Sequence, residues 1–292
     1  ERSVGAPLFE RSARSVRPTA VAERLAERSG AALGALSTLE REARAMVRGE
    51  AGTLRLASFA TANARIVPAA LAAVVARRPH SEVQLDEGEP TEVLDGVLEG
   101  TLDAAVVFDY DRDRRDWPVE LHRAELLVEP FALAVPPEHR FAGRAELDLA
   151  EAAEETWICT RADTAGARSL ARLAADAGFT PRIVFRSNDY GVIRELVARD
   201  LGVAMLPALA WPDATHGQGI RTVPLAGRRP FRQVVVLYRP NNTNPMLPLA
   251  LDCLEQACAP YRSGWSQSGG LEELGEQDGV AQVPVVREAG FE

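Results

Sequence analysis

"TLRLASFATANARIVPAALAAVVARRPHSEVQLDEGEPTEVLDGVLEGTLDAAVVF", residues 53–108, carries the signal that decides the fold. It opens with the strand-like run "TLRLAS" (53–58) and passes into "ATANARIVPAALAAVVARR" (60–78), whose Ala-rich composition and apolar spacing predict a helix. "SEVQLDEG" (81–88) reads as a second strand, "PTEVLDGVLEG" (90–100) as a helix and "LDAAVVF" (102–108) as a third strand. Alternation of this kind defines an α/β fold, a parallel sheet with helices on its faces.

The rhythm repeats further on. "TWICT" (156–160), "RIVFRS" (182–187) and "VAMLP" (203–207) are strands, separated by the helical runs "AGARSLARLAADAG" (165–178) and "DYGVIRELVARDLG" (189–202). "LLVEPFALAVPP" (126–137) and "FRQVVVLYRP" (231–240) read as extended passages between the two units, and a last helix is expected at about 245–262. Two α/β units joined by two extended crossings predict two Rossmann-like lobes with a cleft between them, and in open α/β sheets ligands sit beyond the carboxyl ends of the strands.

Ahead of these lobes, Thr19 to Arg48 contains no Pro and is rich in Ala, Leu, Glu and Arg. Ala22, Ser29, Leu36 and Ala43 repeat every seven residues, and Leu25, Ala32, Leu39 and Met46 repeat three positions later. This a/d seam of about four heptads predicts a long helix that pairs with a second copy, with Leu25, Ala32, Leu36, Leu39 and Met46 as its dimer contacts. A helix lying on its own domain is the other reading. Beyond Ser263 the composition turns to Gly, Ser, Gln and Glu, so 263–292 is expected to be a disordered tail, "VPVVRE" (283–288) offering at most a short strand.

Composition narrows the function classes. The 292 residues are 46% hydrophobic and 26% charged, with no apolar run long enough to span a bilayer, which points to a cytoplasmic protein without membrane partners. Three cysteines make no disulfide framework, and Cys253 and Cys258 lack neighbours at metal-ligand spacing, so no metal and no cofactor are expected. All basic residues are Arg; residues 1–48 hold nine of them against six Glu, a local +3 on a chain of net charge -9. A basic end on an acidic body suits an N-terminal region that approaches phosphates.

No G-x-G-x-x-G, P-loop, H-E-x-x-H or G-x-S-x-G motif is present. His80, His122, His139 and His216 are expected on the surface, and the mixed-sign stretch "FDYDRDRRDW" (108–117) as a solvated loop. No catalytic residue is assigned, which favours binding without turnover. The effector-binding candidates follow from the strand ends. Ser58 and Thr61 flank the first helix start, Thr160 and Arg161 follow "TWIC", and Ser187, Asn188 and Asp189 follow "RIVFR". Hydroxyls and free N–H groups there suit a carboxylate or another polar oxygen. The same residue types are common as N-caps, and Arg161 is equally suited to an interlobe ion pair.

The opening "ERSVGAPLFERSARSVRPTAVAERL" (1–25) resembles LysR-type transcriptional regulators through Val4-Gly5-x-Pro7-Leu8-Phe9-x-Arg11 and Pro18-Thr19; the family's usual glycine gives way to Ala22 and Glu23. "PHSEVQLDEGEPTEVLDGVLEGTLDAAVVFD" (79–109) and "NDYGVIRELVARDLGVAMLP" (188–207) are similar to its effector-domain passages. The resemblance implies a winged helix-turn-helix remnant (1–18), a linker and dimerisation helix (19–50) and an effector-binding domain (53–262) of the type II periplasmic-binding-protein kind. Lobe 1 would comprise 53–131 plus 232–262 and lobe 2 residues 132–231. It further implies promoter DNA, a small-molecule effector and self-association to a dimer or tetramer as partners. Arg11, Arg14 and Arg17 would contact phosphates, which position a protein without reading sequence. In the family the helices that read bases precede the residue matching Glu1, so the chain as written is expected not to footprint an operator specifically. A solute-binding protein or a small α/β enzyme on the same scaffold are the rival readings; the heptad helix argues against the first and the missing site chemistry against the second.

Overall fold

The computed structural model describes residues 4–12, 15–26, 43–44, 47, 51–212, 219–227 and 229–266. The chain divides into two compact units, Glu1–Gly52 with Arg78–Ser81, and Thr53–Arg77 with Glu82–Glu292.

In the first unit the segment expected as the remnant at 1–18 contains a hairpin. Strands β1 (Phe9–Ser12) and β2 (Ser15–Pro18) pair antiparallel, Phe9 opposite Pro18. Gly5 enters it in the left-handed region, at φ +67°. Thr19 closes it, its N–H donating to the Leu8 carbonyl and its hydroxyl to the Pro7 carbonyl. The Thr19 Oγ1 also accepts the Ala22 N–H at 3.3 Å, capping the helix α1 that begins at 20. Within α1 (20–26), Leu25 is exposed, as is Val21. Ala32, Leu36, Leu39 and Met46 lie outside the described residues, as do Arg14, His216 and 267–292.

The second unit holds both lobes. In lobe 1, β3 (Ala51–Ser58), α2 (Ala60–Arg65), α3 (Val67–Arg77), β4 (His80–Glu87), α4 (Pro90–Glu99) and β5 (Ala104–Tyr110) follow the expected alternation, and β3 pairs parallel to β5. The helix read as continuous from 60 to 78 breaks at Ile66, ahead of Pro68. The passage at 126–137 belongs to a 14-residue strand, β6 (His122–Val135). In lobe 2, β7 (Thr156–Cys159), α5 (Ala165–Asp176), β8 (Arg182–Arg186), α6 (Tyr190–Ala198), β9 (Ala204–Pro207) and β10 (Arg221–Val223) follow. The chain returns through β11 (Phe231–Tyr238) to α7 (Leu247–Ser266). The last helix thus runs to 266, four residues into the expected tail, and carries Pro260 inside it.

The main sheet has the order β10-β6-β11-β5-β3-β4, with β9 also on β6. Strand β6 changes partners along its length. His122 to Pro130 pair with β11, whereas Phe131 to Ala134 pair with β9 and Leu133 to Val135 with β10. The β7–β8 pair joins β9 through a parallel bridge between Trp157 and Val203. The two chain crossings therefore meet side by side, and each is a Pro-Phe step: Pro130-Phe131 and Pro230-Phe231. The Phe131 N–H donates to the Pro230 carbonyl, tying one crossing to the other.

Candidate functional site

The cleft between the lobes is a cavity of about 1070 Å³. Its floor is built where the crossings meet. Arg232 on β11 is the register partner of Glu129 on β6, and their side chains are 1% and 0% exposed. The Arg232 Nε donates to Glu129 Oε1 at 2.5 Å, and Nη2 donates to Thr61 Oγ1 at 2.7 Å. Glu129 Oε2 accepts the Leu209 N–H at 2.6 Å. A desolvated ion pair persists when further hydrogen bonds satisfy its remaining groups, and here Thr61 and the Leu209 N–H supply them. Burial pushes the Glu129 carboxyl up, while Arg232 and the Leu209 N–H pull it back. The guanidinium also lies 4.8 Å from the ring centroids of both Phe59 and Phe108, and 5.9 Å from that of Tyr110, within cation–π range.

Aromatic side chains form the wall beside this floor. Phe59 and Phe108 meet edge to face at 4.7 Å, and Tyr110 follows Phe108 along β5. The Tyr110 phenol of lobe 1 and the Tyr190 phenol at the start of α6 in lobe 2 influence one another, and burial holds both above their ordinary pKa. Gly166, at the start of α5, leaves room here: a Cβ there would lie 2.9 Å from Thr160 Oγ1 and 3.4 Å from the Tyr110 hydroxyl.

At the rim, Asp113 joins the lobes. It follows β5, and its carboxylate accepts from Arg168 Nε and Nη2, both at 2.9 Å, and from Arg172 Nη1 at 2.6 Å. Arg168 and Arg172 lie one turn apart on α5, so one face of that helix presents both to the same acceptor. Arg112 reinforces the contact by pairing with Asp176 at 3.1 Å. The stretch 108–117 is therefore pinned: Asp109 and Asp113 are buried, and Asp109 Oδ2 accepts the Trp117 indole N–H at 3.0 Å. Its acids are held by partners distant in sequence, on α5 above all.

The structure divides the seven candidates. Thr61, Thr160, Asn188 and Asp189 line the cavity. Thr160 shares its hydroxyl with Thr164 at 2.7 Å, and Asp189 caps α6 by accepting the Gly191 and Val192 N–H groups. Asn188 Oδ1 accepts the Arg161 backbone N–H at 3.0 Å. Ser58, Arg161 and Ser187 are not on the cavity wall. Ser58 is 1% exposed on the last residue of β3, and Ser187 Oγ accepts the Asp189 N–H. The Arg161 side chain is two-thirds exposed and pairs with Asp163 in its own loop, so it forms no interlobe bridge. Of the histidines, His139 is half-buried against Phe141, with Nε2 3.5 Å from Glu155. Cys159, Cys253 and Cys258 are all buried, and burial raises each thiol, Cys258 to about 12.

Arg232 and Glu129 escaped the sequence reading, although each interrupts an otherwise apolar strand, "FRQVVVLY" and "LLVEPFALAV". A lone charge within such a run is the signal that would have found them, because buried charges are paired.

Two α/β lobes that share two crossing strands and enclose a mixed polar and aromatic cavity define a hinged small-molecule-binding domain. Residues 48–259 match the LysR substrate binding domain, and the chain belongs to the family of LysR-type regulators. It is 29% identical over 246 residues to the HTH-type transcriptional regulator ShiR of Corynebacterium glutamicum, covering 82% of this chain and 78% of that protein. To a probable hydrogen peroxide-inducible genes activator of Streptomyces viridosporus it is 30% identical over 248 residues, covering 82% and 76%. Among solved structures, CbnR, a LysR family transcriptional regulator, superposes with a TM-score of 0.63 at 22% identity, covering 87% of this chain and 86% of that one. CbnR in complex with its target DNA gives 0.64, also at 22% identity, covering 88% and 86%.

Proposed function

We propose that the protein is a DNA-binding transcriptional regulator whose two lobes sense a small molecule and whose promoter binding depends on that molecule. The observation that carries this reading is the cleft itself, closed on one side by the Arg232–Glu129 floor and joined across its rim by Asp113. A ligand seated there touches both lobes at once. It therefore has different contacts in different interlobe geometries, which is the requirement for shifting a conformational equilibrium.

Exposed Arg17 on β2 is available to DNA phosphates, with Arg11 on the paired strand and Arg14 between the strands in sequence as the other candidates. Exposed Val21 and Leu25 on α1 support self-association through this helix into a dimer or tetramer. Sensing by thiol oxidation, the chemistry that peroxide-responsive naming of some relatives suggests, is disfavoured here. The reactive species is the thiolate, and burial holds Cys159, Cys253 and Cys258 as thiols.

The test is a gel shift with the product of the whole gene on DNA flanking that gene, with and without a small-molecule extract of the producing cells. A Gly166→Val variant, which fills the cleft beside Thr160 and Tyr110, serves as the comparison. The reading requires that the extract change the wild-type shift and leave the variant unaltered. A response that survives in the variant, or no wild-type response at all, overturns it.

A further inference from the structure

The cleft has a charge that selects its ligand. Glu87, Glu89, Glu92, Asp189 and Glu195 line it, against Arg65, Arg194 and Arg232; of these acids Glu195 is paired with Arg199 and Asp189 caps α6, which leaves the three glutamates around the start of α4. Each of these guanidiniums is directed at a protein acceptor. Arg232 is held by Glu129 and Thr61, Arg65 Nη2 donates to the Trp211 carbonyl at 2.5 Å, and Arg194 Nη1 donates to the Ala210 carbonyl at 3.0 Å. A carboxylate entering the cleft would compete with these acceptors for the guanidiniums and would add negative charge to a wall with more acids than arginines. Arg161, the sequence-level candidate to receive it, lies outside the cavity.

The carboxylates have capacity to spare. Glu87 Oε2 accepts one bond, from Asn63 Nδ2 at 3.1 Å, and Glu92 Oε2 accepts the Glu89 backbone N–H at 2.7 Å, whereas a carboxylate offers about four lone-pair sites. Glu89 stands between them at the start of α4 and is half-buried. Burial raises its pKa and neighbouring Glu92 adds to the rise, against the lowering by Arg232, Arg115 and Arg168. A positive group beside Glu89 would relieve both the lost solvation and the like charge. The rings of Phe59, Phe108, Tyr110 and Tyr190 line the same cavity and suit an apolar body or the flank of a cation.

We propose that the effector is an organic cation, a small amine or guanidine whose apolar body lies against the aromatic wall and whose charge is received by Glu89, flanked by Glu87 and Glu92. This rests on the reading of the cleft as the effector site and adds the ligand's sign and shape to it.

The experiment is a calorimetric and thermal-shift comparison of matched triplets on the full chain. The probes are an amine, an alcohol and a carboxylate on phenylethyl, indolylethyl and branched aliphatic bodies. The expected result is that amines bind at least tenfold more tightly than their alcohols and that the carboxylates do not bind. Glu89→Gln combined with Glu92→Gln, which keeps the side-chain oxygens at the α4 N-terminus, is expected to remove that tenfold advantage. Tighter binding of a carboxylate than of its amine overturns the cationic assignment while leaving the cleft as the sensing site. Amine binding that the double variant does not weaken, or no amine binding at all, also overturns it. Loss of all binding in Gly166→Val with amine preference intact in wild type assigns the preference to the cleft; retained binding there overturns both readings.

Discussion

The floor and the rim of the cleft both pair carboxylate with guanidinium, but in different surroundings. At the floor Arg232 and Glu129 are 1% and 0% exposed, and every bond they make is internal. At the rim the Asp113 carboxylate is 9% exposed, while its partners Arg168 and Arg172 are 39% and 54% exposed. The floor pair fixes two neighbouring strands of lobe 1 to one another and reaches lobe 2 through the Leu209 N–H. The rim set joins a lobe 1 loop to a lobe 2 helix. Desolvation makes the first costly to break and solvent makes the second cheap, so the molecule has a rigid axis and a releasable clasp.

The largest expected effect tests the floor. Removing either partner strands a buried charge: Glu129→Ala or Arg232→Met is expected to lower unfolding free energy by about 3–5 kcal/mol in urea titrations. The double change Glu129→Leu with Arg232→Met should recover much of that loss, because apolar groups of similar volume need no partner. Next is Asp113→Ala, expected to cost only about 1 kcal/mol, given how far its partners reach into solvent. Its main consequence is a wider distribution of interlobe distances between spin labels. A loss as large as that at the floor would erase the distinction between axis and clasp.

A buried group ionising against its surroundings sharpens the same point. With the Cys258 thiol raised to about 12 from an ordinary value of 9, the unfolded chain releases its proton first as pH rises. Stability should therefore fall between pH 9 and 12, by up to about 1.4 kcal/mol per unit, and Cys258→Ala should flatten that arm of the curve. The smallest effect is Arg199→Ala. Its i,i+4 pair with Glu195 is about two-thirds exposed on both sides, and a change of about 0.3 kcal/mol in the urea midpoint analysis is expected.

Legibility in the sequence followed the range of the interactions. The alternation of β3 to β5 and of β7 to β9 rests on local periodicity and is visible in the residues themselves. Thr61 and Thr160 were found because strand ends in such sheets face the ligand. Ser58 and Arg161 were placed by the same rule, but a strand's pleat and a loop's own ion pair turned them elsewhere. Asp113 looked solvated because its neighbours in sequence are arginines; the arginines that bury it stand 55 and 59 positions later. Nothing local encodes the register that sets Arg232 opposite Glu129. Their charges within apolar strands nevertheless mark them as pairs in need of a partner.

The two Pro-Phe steps have a mechanical consequence. Each proline fixes one backbone torsion and offers no N–H, so neither donates to the ladder, which continues across them with Phe231 opposite Pro130 and the Phe131 N–H on the Pro230 carbonyl. Just beyond them β6 leaves β11 for β9 and β10, so one continuous strand carries the chain from one lobe's pairing to the other's. Any change in the angle between the lobes would have to be absorbed at this passage, where two of the backbone torsions are already fixed by proline.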